Sequence, residues 1–125
     1  MASTIDALTI DCADPQRVAD FWCAALGYDL VEIDEEGAEI RDPAGAGWPL
    51  LFIIVPEGKS VKNRLHFDIR ASASIAEEVE RLTGLGATEQ RFVEEGGSSW
   101  MVMLDPEGNE FCVLRGPDDG WTPGA

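Results

Sequence analysis

IDALTIDCADPQRVADFWCAALG, residues 5–27, changes its period in the middle. Over 5–12 the side chains alternate, with Leu8, Ile10 and Cys12 on one side and Ala7, Thr9 and Asp11 on the other. That pattern predicts a strand with one buried face. Asp14 then precedes Pro15, a capping residue followed by the imino acid that suits a first helical position. Val18, Phe21, Trp22, Cys23 and Leu26 recur at helical spacing, and Gly27 supplies a stop. The spacing predicts a helix over 15–26, with Trp22 in the core. Three further strands are expected at about 28–34, 37–42 and 49–55, with turns at EEG (35–37) and DPAGAG (42–47).

The same order then returns. RLHFDIR, residues 64–70, sets Leu65, Phe67 and Ile69 against His66, Asp68 and Arg70. Ser74 and Glu77 have the spacing of a capping box, and the helix they open runs to about 84. Val79, Leu82 and Leu85 are its expected apolar face, and GLG closes it. Strands follow near 87–94, 98–104 and 109–115. The Leu-Gly pair at 26–27 recurs at 85–86, 59 residues on, and the Asp-Pro pair at 42–43 recurs at 105–106, 63 residues on. The shared order of elements predicts an α+β fold of two βαβββ modules, about 4–56 and 63–116, in one domain spanning 1–125. The polar PEGKSVKN (56–63) joins them, and two such modules can pair their curved sheets around a cleft.

Composition narrows the partners. The chain has 125 residues, 45% of them apolar, which suits one domain with a core of its own. Its formal net charge is −15, from 24 acids against 9 bases. Nucleic acids and anionic membranes both require positive charge, so neither is expected as a partner. A cationic ligand is compatible with that charge, as is a surface kept acidic for solubility. Cys12, Cys23 and Cys112 lie in apolar runs at irregular spacing, which makes neither a disulfide framework nor a zinc motif. They read as buried thiols of a cytoplasmic protein. No apolar run approaches the roughly 20 residues of a membrane span, and MASTIDALTIDCADP does not read as a signal peptide.

DCADPQRVADFWCAALGYDL, NRLHFDIRA, ERLTGLGAT and MLDPEGNEFCVL together resemble the vicinal oxygen chelate superfamily, in particular its glyoxalase-like domain subgroup. That superfamily includes glyoxalase I, extradiol dioxygenases, fosfomycin resistance enzymes and bleomycin resistance proteins. The resemblance runs over nearly the whole chain and implies paired βαβββ modules around a cleft. It does not imply one reaction. It implies metal ligands, where a metal is used, from the first and last strands of both modules. In the second module His66 and Glu110 fall on those positions, as metal ligands or as catalytic acid–base groups. In the first module the matching places are Ala7 and the Pro49–Leu50 region, which offer no donor. A catalytic divalent ion needs about three protein ligands and an open position. The two-His, one-carboxylate set of extradiol oxygenases is out of reach of a chain with one His. No cofactor is therefore required, and a divalent metal is expected to bind weakly.

Each residue also has a structural reading. His66 can hydrogen-bond inside the cleft, and Glu110 can accept turn N–H groups at a strand end. Asp105 and Asn109 have turn chemistry. Trp48 and Trp100 either pack or present a ring to a planar or cationic ligand. Asp11, Asp68 and Arg70 complete the candidate ligand contacts, and Asp11, Asp68 and Glu39 are the remaining carboxylates for a metal. Two functions result. One is a non-catalytic module that sequesters a small, cationic molecule in an acidic cleft, in the manner of bleomycin resistance proteins. The other is a metal-dependent lyase, isomerase or dioxygenase acting on a small oxygenated substrate. The missing ligand pair and the charge favour the first. A homodimer is expected from the resemblance and from apolar surface behind the sheets.

Overall fold

The computed structural model describes residues 1–124. Its elements run β1 (Leu8–Cys12), α1 (Pro15–Leu26), β2 (Asp29–Ile33), β3 (Gly37–Arg41) and β4 (Leu50–Ile54). They continue as β5 (Phe67–Arg70), α2 (Ile75–Gly84), β6 (Thr88–Glu95), β7 (Ser98–Leu104) and β8 (Glu110–Leu114). A 3-10 turn at Pro117–Asp119 follows. The chain divides into two compact units, Met1–Lys59 and the part from Ser60 onward. Each is one βαβββ module with a four-stranded mixed sheet, ordered β1-β4-β3-β2 in the first and β5-β8-β7-β6 in the second. This is the α+β, paired-βαβββ class that the duplicated pattern predicts.

In both units the first and last strands lie side by side and parallel, with Leu8 opposite Leu50 and Phe67 opposite Phe111. The helix supplies the crossover that a parallel pair needs. Asp14 caps α1 by accepting from the Arg17 N–H at 3.2 Å, and Gly27 ends it at φ 73°. Ser74 caps α2 by accepting from the Glu77 N–H at 3.1 Å. Val18, Ala19, Phe21 and Trp22 of α1 are buried, as are Ala38, Ile40, Leu50 and Phe52 of their sheet. In the second unit Ile75, Val79 and Leu82 of α2 are buried, with Met103, Phe111 and Val113 of β7 and β8.

Three expectations are corrected. The strand predicted at 64–70 begins at Phe67, and Leu65 is 86% exposed rather than packed. The alternation continues backwards, but residues 64–66 belong to the linker rather than the ladder. Leu85 caps α2 and stays partly exposed, leaving Ile75 as the third buried apolar residue of the helix. Cys23 is only half-buried, whereas Cys12 and Cys112 are buried, and all three are free thiols.

Candidate functional site

Because each strand alternates, each sheet has a helix-covered face and a helix-free face. In the second unit the register places Asp68 beside Cys112 and Cys112 beside Val102, and Arg70 beside Leu114 and Leu114 beside Trp100. These residues share the face opposite Phe111, Val113 and Met103. His66, two residues before Asp68, sets its Nδ1 3.4 Å from Asp68 Oδ1, so it joins the same face just ahead of β5. The donor atoms of His66, Asp68 and Cys112 all lie within 4.8 Å of one another. His66 and Asp68 are exposed while Cys112 is buried. Cys112 is the member of this cluster that the sequence does not single out, since it reads there as a buried thiol sharing a strand face with Glu110. Its alternation with Glu110 was visible, but its neighbour on β5 follows only from the parallel register.

Burial first, and then the carboxylate of Asp68, push the Cys112 thiol above its ordinary value. Lys62 and Arg91 pull it weakly the other way. Arg70 stacks on Trp121, with its guanidinium carbon 4.0 Å from the ring centroid, and donates to the Arg115 carbonyl at 2.9 Å. Trp100 lies half-buried in β7 between Val93 and Leu114.

Glu110 begins β8, one residue before the Phe111–Phe67 pair, and is buried. Its Oε2 accepts the backbone N–H of Asn63 at 2.9 Å, and the Asn63 side chain donates to Asn109 Oδ1 at 2.9 Å. The carboxylate thus ties the linker to the head of the strand. The preceding turn is closed by Asp105, whose Oδ1 accepts the N–H groups of Glu107 at 2.8 Å and Asn109 at 2.9 Å. Gly108 takes the left-handed conformation there, at φ 85°. The equivalent turn of the first unit is held by Asp42, which accepts from the N–H groups of Ala44, Gly47 and Ala46. Those bonds, Ala44's foremost, lower its pKa.

On the first sheet Asp11 lies opposite Ile53, and Glu39 lies opposite both Leu51 and Glu32. Arg41 pairs with Glu39. Trp48 is half exposed, and its carbonyl accepts the Tyr28 hydroxyl at 3.2 Å. Leu8 opposite Leu50 corresponds to Phe67 opposite Phe111, so the places matching His66 and Glu110 are Ala7 and Pro49. Neither side chain has a donor atom. Two corners of the four-ligand set are empty of ligands, and the Glu110 carboxylate already accepts a backbone N–H. The residues present do not fit the metal set the superfamily implies.

Solved structures with the same architecture are numerous. A mutant of the genomically encoded fosfomycin resistance protein FosX from Listeria monocytogenes, complexed with Mn(II) and 1S,2S-dihydroxypropylphosphonic acid, has a TM-score of 0.74 at 13% identity. The alignment covers 93% of this chain and 92% of that one. A glyoxalase-related enzyme from Fulvimarina pelagi gives 0.72 at 18% identity, covering 93% and 90% of the two chains. Lactoylglutathione lyase from Agrobacterium tumefaciens gives 0.64 at 18% identity, covering 96% and 98%. No curated protein matches the chain significantly. The two βαβββ units define a vicinal oxygen chelate fold. Residues 7–114 match the profile of the glyoxalase-like domain, and the chain belongs to that family.

Proposed function

We propose that this domain is a binding module that holds a small, positively charged molecule on the acidic, helix-free face of its first sheet and sequesters it without a catalytic metal at the superfamily's ligand positions. The observation that carries this reading is the register that puts Ala7 and Pro49 where a catalytic metal centre would need donors. The chemistry left on the faces suits a cation with an apolar body. Asp11, Glu39 and Glu32 surround Leu51 and Ile53 on the first sheet. Glu32 lies directly opposite Glu39, whose charge Arg41 already offsets, so a cation would be drawn chiefly to Glu32 and Asp11. The net charge of −15 raises the local concentration of cations further. Free thiols in all three cysteines accord with a cytoplasmic location, and no helix among the described residues is long and apolar enough to cross a membrane. We assign the working form as a homodimer, because β2 leaves Leu30, Val31 and Ile33 exposed along a sheet edge.

The second reading is a metal-dependent lyase, isomerase or dioxygenase. It is favoured by His66 and Glu110 at the ligand positions of one module and by the Mn(II) in the fosfomycin resistance relative. A single experiment separates the two. Dialysed protein is analysed for metals, then screened by thermal shift against Mn2+, Mg2+, bleomycin and a panel of cationic aromatic compounds. Sequestration is supported by an upward shift with a cationic compound and none with Mn2+ or Mg2+. One equivalent of tightly held Mn2+ or Mg2+ overturns it in favour of the enzyme.

A further inference from the structure

We infer that His66, Asp68 and Cys112 form a mixed nitrogen, oxygen and sulfur site for a borderline divalent ion of the zinc class, on the helix-free face of the second sheet. This goes beyond the ligand reading and does not depend on it. The site keeps one member of the superfamily's ligand set, His66, and replaces Glu110 with two residues lying one step further along the strands.

The fold builds the site without special geometry. Parallel register puts Asp68 and Cys112 side by side, and His66, in the linker just ahead of β5, brings its ring to the same pair. The three donor atoms lie within 4.8 Å of one another, and His66 Nδ1 is already 3.4 Å from Asp68 Oδ1. Tetrahedral zinc, with bonds of about 2.0–2.1 Å to N or O and 2.3 Å to S, needs donor separations of about 3.3–3.6 Å. The contraction required is on the order of 1 Å, and it falls on two exposed side chains that can change rotamer. Cys112 is fixed in a central strand and supplies the rigid corner. Three protein ligands with one open position is the count of an accessible zinc site rather than a closed structural one.

The sulfur decides which ion is taken. Thiolate and imidazole favour zinc over manganese or magnesium, which prefer sets built from oxygen. The Cys112 thiol, its pKa raised by burial and then by Asp68, carries its proton until an ion binds. On binding, its S–H bond breaks, the proton passes to solvent and the sulfur electron pair goes to the ion, with no change of oxidation state.

The full chain, stripped of metal, is titrated with Co2+ and then with Zn2+, with no organic ligand present. One equivalent of Co2+ should bind with a near-ultraviolet sulfur-to-cobalt charge-transfer band, and Zn2+ should displace it. Cys112→Ser should abolish the band, and Asp68→Asn should weaken cobalt binding so that the band appears only at higher Co2+. Their zinc affinity should fall by at least the about 10–100-fold that loss of an outer-shell partner costs. Asp68→Asn alters an exposed position, so it answers for the site even if Cys112→Ser fails to fold. Glu110→Gln should keep the band. The inference is overturned by absence of the band in the parent chain, by its survival in Cys112→Ser, by undiminished cobalt affinity in Asp68→Asn, or by loss of the band in Glu110→Gln. Failure of the cationic compounds with the cobalt band intact would count against the ligand reading alone.

Discussion

Glu110 shows how a residue can occupy a ligand's place and spend its carboxylate elsewhere. Its bond to the Asn63 N–H anchors the stretch that leads into β5. Glu110→Ala removes the acceptor from a part-buried donor and should cost about 1–3 kcal/mol, whereas Glu110→Gln keeps a side-chain oxygen and should cost less. Urea midpoints at unchanged slope measure both. The thiols give a pH dependence with a definite sign. Cys112 and Cys23 are raised, each by burial first and then by neighbouring aspartates. The folded state therefore holds those protons more tightly than the unfolded chain does. That contribution is complete below the unfolded thiol's pKa of about 8.5 and is lost as pH rises through the higher folded values. Urea midpoints should accordingly decline in the alkaline range, and iodoacetamide should label both thiols slowly at neutral pH. Flat midpoints in a chain with Cys23 and Cys112 replaced by Ala would assign the effect to them. The turn role of Asp105 was legible from its Asp-Pro and Gly-Asn neighbours. The partnership of Cys112 with Asp68 was not, because residues 44 apart in sequence meet only through strand register.

Punctuation residues made the helices easy to place. Asp14, Pro15 and Gly27 bracket α1, and Ser74 opens α2, so both helices lie where the sequence puts them. Asp14→Ala and Ser74→Ala should each lower stability by about 1 kcal/mol through loss of the cap. Strand starts were less legible. Alternation in RLHFDIR runs on to Leu65, yet a ladder also needs a partner, and β8 opens only at Glu110. The close approach at Gly37 is a feature of β3 that alternation cannot reveal. A Cβ there would run into the carbonyl of Phe52 on the adjacent strand β4. Gly37→Ala should therefore destabilise by about 1–3 kcal/mol through overpacking, although alanine ordinarily costs less conformational entropy than glycine. A thermal midpoint equal to or above the parent's would show that β4 yields more readily than this geometry implies.

For the molecule as a whole, the duplicated pattern carried the fold because each module repeats the same periods and stops. The site was less legible, since the positions of a ligand set lie on strands far apart in sequence, and only register fixes which residues face which. Mass is the readout for the homodimer: light scattering should report about twice the 13.6 kDa of the chain. Each copy carries −15, so association should strengthen as salt shortens the screening length from about 10 Å at 0.1 M to about 3 Å at 1 M. A constant monomer mass across that series would exclude the pairing. The parallel pairing of first with last strand also bears on the growing chain. From the end of β1 at Cys12 to the start of β4 at Leu50 is 38 residues, so at about 5–20 residues per second β1 waits roughly 2–8 s for its neighbour to be synthesised. A ribosome-bound first module spends that interval with its earliest strand unpaired, and the second repeats the wait for β5. The first strand of each module therefore joins its sheet last, on the arrival of the final strand.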